Sequence, residues 1–194
     1  MPNWVYNSVY ISGNPEKVNS LEALMSKHYK GVDNGAINFL NIIAPPDNKW
    51  DAYNEGRNWY DWNTNNWGTK WNACEIDVDE QIDRNGDKQL GIKFETAWSP
   101  PSGIMDALWA LCRADGLDLS WHWEEEQGFG EDWESENAEF CMTDSWDIPN
   151  SHADHVDWDK NCVCEWDEDS ENWYEDCPRP DLTKIEESAI LAEQ

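Results

Sequence analysis

The chain has 194 residues, with 41 Asp and Glu against 13 Lys and Arg and a net charge of −28 at neutral pH. A field of that sign repels nucleic acid and anionic lipid at long range, which argues against direct DNA or RNA binding and against a membrane surface. No apolar run approaches the ~20 residues of a membrane span, and Met1-Pro2-Asn3-Trp4 lacks the basic start and apolar stretch of a signal peptide, so a cytosolic protein is expected.

Trp4 to Ser12 (WVYNSVYIS) is β-branched and aromatic with partial alternation, and Gly13 stops it, which predicts a first strand. Asn14-Pro15-Glu16 then supplies an N-cap, a proline at the first helical position and an acid in the first turn. Val18, Leu21, Leu24 and Met25 follow on one face, predicting a helix to about His28. Asn38 to Ala44 (NFLNIIA) is a short apolar run halted by Pro45-Pro46 and reads as extended. From Trp50 to Trp71, Asn, Trp and Gly recur without a sustained period. An ordered irregular segment or short helix packed by its aromatic rings is expected there.

Cys74 to Ile82 and Lys88 to Trp98 flank Asp83-Arg84-Asn85-Gly86-Asp87, and Asn-Gly makes this the clearest hairpin in the chain. After Pro100-Pro101, Ser102 is expected to cap a helix carrying Ile104, Met105, Leu108, Leu111 and Cys112, and Leu117 to Trp123 alternates as a strand. This order predicts an α+β fold, a ferredoxin-like sandwich of two helices on an antiparallel or mixed sheet, over residues 1–130. Residues 131–194 are expected to form an acidic, Trp-rich elaboration packed on that domain. Short strands are expected at Glu139 to Met142, Val156 to Asp159 and Cys162 to Trp166, and one short terminal helix carrying Leu182, Ile185, Ala189 and Ile190 is expected after them.

Acid is concentrated at the end. From Asp115 to Gln194 there are 26 Asp and Glu against Lys160, Arg179 and Lys184. Like charge at that density usually marks a disordered tail. Here Trp121, Trp123, Trp133, Trp146, Trp158, Trp166 and Trp173 recur through it, so a folded anionic surface is expected instead.

Four strings stand out in order: Met1-Pro2-Asn3-Trp4, Trp59-Tyr60-Asp61-Trp62, Asn66-Trp67-Gly68-Thr69-Lys70-Trp71-Asn72-Ala73 and Thr96-Ala97-Trp98-Ser99-Pro100-Pro101. Together they resemble the phage- and plasmid-borne YubB-like family with an N-terminal ferredoxin-like domain, over roughly residues 1–130. The resemblance implies the fold and a mobile-element origin, and it brings no activity, cofactor or site residue with it. The Trp-Gly-Thr-Lys-Trp and Trp-Ser-Pro-Pro strings read as structural, with Asp61 and Lys70 as a candidate ion pair. No family pattern is recognisable beyond Glu131.

Metal and catalytic chemistry find little support. Asp83, Asn85 and Asp87 match the first ligands of a calcium loop, but Lys88 replaces the glycine and Phe94 the bidentate glutamate, so a plain turn is expected. His152, His155, Cys162 and Cys164 gather zinc-type ligands, yet the Cys-x-Cys spacing puts both thiols on one strand face rather than in a knuckle, and no metal is assigned. Without a secretion signal the six cysteines are expected to be free thiols. His122 between Trp121 and Trp123 reads as an ordinary histidine facing away from them. With no nucleophile elbow, phosphate loop or zinc-protease motif, the expectation is a protein without catalysis or cofactor.

The carboxylates are patterned more tellingly. Glu75, Asp77 and Asp79 alternate with Ile76 and Val78, predicting one buried strand face and one row of anions about 6.7 Å apart, a spacing comparable with successive phosphates. Asp157 and Asp159 repeat this around Trp158. Glu124-Glu125-Glu126, then Glu131, Asp132, Glu134 and Glu136, then Asp167, Glu168, Asp169 and Glu171 extend it. These acids are the candidate partner-binding residues. The partner expected is a basic host protein in the host cytoplasm, a nucleic-acid-binding nuclease or defence effector whose groove an acidic nucleic-acid mimic would block. The alternative is a small-ligand or carbohydrate-binding accessory protein with an aromatic-lined pocket in the Trp59 to Trp71 segment.

Overall fold

The computed structural model describes residues 3–146 apart from Arg57, Asn85 and Gln127, and for Asn48 the backbone alone. Six strands, β1 (Trp4–Gly13), β2 (Cys74–Ile82), β3 (Lys88–Ala97), β4 (Asp118–Glu125), β5 (Gly130–Glu136) and β6 (Glu139–Trp146), form one antiparallel sheet in the order β2-β3-β1-β4-β5-β6. The two long helices are α1 (Pro15–Met25) and α5 (Ser102–Asp115); α2 (Phe39–Ile42), α3 (Trp50–Asn54) and α4 (Asn58–Asn66) lie between α1 and β2 in the chain. Strands β1 to β4 with α1 and α5 make the β-α-β-β-α-β ferredoxin-like unit, and the β5–β6 hairpin continues its sheet beyond β4.

Local chemistry accounts for the two long helices. The Asn14 side chain accepts from the Glu16 and Lys17 amides at 3.0 and 3.3 Å, Pro15 starts the first turn, and Val18, Leu21 and Met25 are buried. Helix α5 buries Ile104, Met105, Leu108 and Cys112 and ends at Gly116, whose φ of 69° is the left-handed turn that lets the Leu117 amide reach the Cys112 carbonyl at 2.9 Å. Ser102 is the first residue of α5 rather than its cap, and no side chain caps this helix. Its N-terminus is held instead by the neighbouring Trp-Gly-Thr-Lys string.

The two strings expected to be structural fasten to one another. Ser99 Oγ donates to the Gly68 carbonyl at 2.6 Å, Thr69 Oγ1 to the Ala97 carbonyl at 2.9 Å, and the Gly103 amide to the Trp67 carbonyl at 3.1 Å. A Cβ at Gly68 or Gly103 would collide with Ser102 or with the Asn66 backbone, so both glycines permit close approach. Asp61 and Lys70 do not pair. The Lys70 ammonium lies over the rings of Trp98, Trp71 and Tyr60, at 4.2, 4.5 and 5.9 Å from their centres.

Beneath the helices the core is aromatic. Trp62, Trp67, Phe39, Phe94 and Trp121 meet edge to face in sequence, with centroids 5.5–5.9 Å apart. Each buried indole has a partner: Trp67 Nε1 donates to the Ile43 carbonyl at 2.9 Å, and Trp121 Nε1 to the buried Asn7 Oδ1 at 3.2 Å.

Two further sequence expectations change here. Residues 39–42 are helical, not extended, with the Asn38 side chain accepting from the Leu40 amide at 3.1 Å. The sheet also does not end near residue 130: Gly130–Trp146 supply its last two strands, and the compact unit that holds them runs to Trp146. The expected strands at 156–159 and 162–166, the terminal helix and the packing of this segment lie outside the described residues.

Candidate functional site

Alternation divides every central strand between two faces. On β1, Val5, Asn7, Val9 and Ile11 are buried toward the helices, while Tyr6, Ser8 and Tyr10 face the other way. β3 and β4 follow suit, with Leu90, Ile92 and Phe94, and Leu119, Trp121 and Trp123, directed inward. The opposite face of the six-stranded sheet carries no described helix, and the pairing register maps what stands on it.

Reading across the strands, one row runs Asp77, Lys93, Ser8, His122, Asp132, Asp144, and the next runs Glu95, Tyr6, Glu124, Gly130, Trp146. Asp79 and Glu134 flank the first row on the other side, followed by Asp118 and Glu136 toward the strand ends. Along one strand, Asp77 and Asp79, or Asp132 and Glu134, therefore stand about 6.7 Å apart, while across strands Asp132 and Asp144 are immediate neighbours, one strand spacing of about 4.8 Å apart. Lys93, opposite Asp77, is the one lysine among these positions.

Some of these acids face one another. Asp132 is directly opposite Asp144, and Glu136 opposite Glu139, arrangements that destabilise a sheet. Burial, and then the charge of nearby Glu75, raises the Glu95 carboxyl above its ordinary value. His122 relieves one site: its Nδ1 lies 2.8 Å from Asp132 Oδ1, and its ring stacks on Trp146 with centroids 5.3 Å apart. As expected, His122 faces away from Trp121 and Trp123.

Not every predicted acid joins this face. Three acids in succession cannot point the same way on a strand, and Glu125 falls on the helix side, 3% exposed, so it is not available to a partner. Glu126 Oε2 accepts the Trp4 amide at 2.8 Å. Glu131 is turned inward, and its Oε2 accepts from Trp133 Nε1 at 2.7 Å and Trp123 Nε1 at 3.2 Å, a structural task. Glu75 sits in the irregular start of β2 with φ 47°, exposed beside Glu95. Val78 is exposed as well, because β2 is the sheet's edge, so the expected buried face of that strand forms only in part. Asp157, Asp159, Asp167, Glu168, Asp169 and Glu171 lie outside the described residues.

Aromatic members of this surface were not singled out from the sequence. Tyr6 is 49% exposed between Glu95 and Glu124. The Tyr10 ring takes the space over Gly91, where a Cβ would lie 3.0 Å from its Cε1, and the Trp146 ring takes the space over Gly130, where a Cβ would lie 2.5 Å from its Cζ2. The alternation of Tyr6 and Tyr10 within WVYNSVYIS was the available signal.

The other candidates fare differently. Trp67, in the segment expected to line a pocket, is 1% exposed and belongs to the core with Trp62 against it. The Asp83 carboxylate accepts the Asp87 amide at 2.8 Å, closing the hairpin turn. Among the described residues no cluster of metal-ligating side chains occurs, and Cys74, Cys112 and Cys141 are free; His152, His155, Cys162 and Cys164 lie beyond them. No helix of the described residues is long and apolar enough to cross a membrane.

Against known proteins, residues 67–173 match the family model described as a ferredoxin-like domain in Api92-like protein, a match that continues past Glu131, where no pattern had been recognisable. Among solved structures, the crystal structure of protein api92 from Yersinia pseudotuberculosis is similar with a TM-score of 0.50 and 10% identity, covering 78% of this chain and 99% of that one, and it shows the fold alone. No curated protein matched. Since the family model spans more than half of its residues, the chain belongs to the Api92-like family of ferredoxin-like domains.

Proposed function

We propose that this protein is an anionic decoy that occupies the nucleic-acid-binding groove of a basic protein, and that it is carried by a phage or plasmid, as the YubB-like resemblance implies. The observation that carries the reading is the open sheet face, where Asp77, Asp79, Glu95, Glu124, Asp132, Glu134 and Asp144 stand around a single lysine, with the pairs Asp77–Asp79 and Asp132–Glu134 at the phosphate-like interval of about 6.7 Å. Repulsive neighbours such as Asp132 and Asp144 weaken the sheet itself, so their presence is better explained by what they contact than by what they hold together. A basic groove built for phosphates is the surface such a field attracts, with a host nuclease or defence effector as the target class. The reading needs no cofactor and no catalytic step.

The test is salt. A partner captured from host lysate should be retained at about 50 mM salt and released by about 0.5 M, because charge contacts between exposed groups are screened within a Debye length of ~10 Å at 0.1 M. Added nucleic acid should displace it. A partner held equally at both salt concentrations, or one indifferent to nucleic acid, overturns the proposal.

A further inference from the structure

Resting on the reading that the open face receives a basic protein, we infer that this face selects arginine over lysine, and that Tyr6 anchors the partner's basic segment. A nucleic-acid strand offers a basic groove charge at regular intervals and also flat rings to stack on, and the open sheet face has both. Tyr6 is about half exposed, and its neighbours across the strands are Glu95 on one side and Glu124 on the other. Directly opposed side chains in adjacent antiparallel strands have Cβ atoms about 4.5–5.5 Å apart. A guanidinium laid on the Tyr6 ring is therefore within reach of a carboxylate on either side.

The same juxtaposition recurs toward the other edge. The Trp146 ring occupies the space over Gly130 and stacks with His122, and Asp132 and Asp144 stand in the adjoining row. A Cβ at 130 would meet the Trp123 carbonyl oxygen at 2.3 Å and the indole at 2.5 Å, so glycine there permits the close approach of both. Tyr10, over Gly91, lies two residues along β1 from Ser8 and four from Tyr6, so rings are spaced both along and across the face.

These features separate the two basic side chains. Lysine is a compact, strongly hydrated point charge that gains from the carboxylates and less than arginine does from the rings. Arginine's planar group stacks on an aromatic face while its N–H groups pair with acids at its edge. The occupant that fits is thus an arginine-rich segment of a nucleic-acid-binding protein.

The inference is tested with the full chain and two labelled peptides, octa-arginine and octa-lysine, in fluorescence anisotropy at about 0.1 M salt. The arginine peptide should bind about fivefold more tightly than the lysine peptide, the scale of a cation–π contact at an exposed site. Tyr6→Val, which removes the ring but keeps a residue that favours strands, should bring the two peptides within about twofold, and Tyr6→Phe should retain the preference. Equal binding of both peptides to the unaltered protein overturns the inference and leaves the proposed function standing. So does a preference that survives in Tyr6→Val with its circular dichroism unchanged. Binding of neither peptide overturns the proposed function, and this inference with it.

Discussion

Lys88 opens a hairpin strand in the sequence, where nothing marks it from other surface lysines, yet the fold buries it. Its ammonium lies 2.8 Å from Asn19 Oδ1, 2.8 Å from Glu22 Oε2 and 3.1 Å from Glu80 Oε2, tying the β2–β3 hairpin to α1. Burial works to lower its pKa, but the hydrogen bonds and charges of Glu22 and Glu80 outweigh it, so the group titrates above its ordinary value of 10.5. Its contribution is therefore complete below the unfolded pKa and is lost as pH rises through the higher folded one. Lys88→Met should destabilise by about 1–3 kcal/mol at pH 7, less than the ~3–5 for a fully enclosed pair, because Glu22 and Glu80 both reach water. Urea melts of the two proteins should begin to converge only as pH rises past about 10.5, the unfolded value, toward the higher folded one; a gap that stays constant with pH would reduce Lys88 to packing. Asn7 was as obscure in the sequence: it reads as a polar break in a strand, and only the meeting of β1, β3 and β4 shows it bonded to Val5, Thr96 and Trp121.

Elements with a local signal were legible. The Asn14-Pro15 cap marked α1, and Asn-Gly marked the β2–β3 hairpin, because a turn or a cap is decided by a few adjacent residues. Elements decided by distant partners were not. Helix α2 has four residues, too few for a helical period, and its start at Asn38 depends on Asn72 reaching across from thirty-four residues away. Strand β5 (EDWESE beyond Gly130) lacks an apolar alternation, since its inward positions include Glu131, made tolerable by two indole N–H donors. The candidate face was legible in its acids and not in its rings, because Tyr6 and Trp146 become neighbours of those acids only through register. The α5 entry offers a test at this scale. Gly→Ala in an ordinary helix stabilises by roughly 0.5–1 kcal/mol. At Gly103 the added methyl meets the Asn66 carbonyl backbone, so Gly103→Ala should instead destabilise, by about 1–3 kcal/mol on a thermal melt. A stabilised variant would show that the Asn66–Trp67 segment yields, and that the two aromatic strings are less tightly joined than their hydrogen bonds indicate.

Over the described residues, helices and aromatic rings build the core on one side of the sheet, while carboxylates crowd the other. A net charge of −28 opposes compaction, and the cross-strand pairs Asp132–Asp144 and Glu136–Glu139 add local repulsion. If acidity on this face served solubility alone, removing part of it would be harmless to partner binding and favourable to folding. If it serves recognition, stability and binding must move in opposite directions. Glu75→Gln, Glu136→Gln and Asp144→Asn each relieve a like-charge neighbour without disturbing His122, and each should raise stability by about 0.2–1 kcal/mol. Combined, they should weaken capture of the basic partner progressively at about 0.1 M salt and make little difference near 0.5 M, where the field is already screened. The measurement pairs a denaturant melt with partner binding on the same samples. A triple variant that is more stable and binds its partner as well as the unaltered chain would show these acids to be solvating groups, and the open face would lose its assigned role.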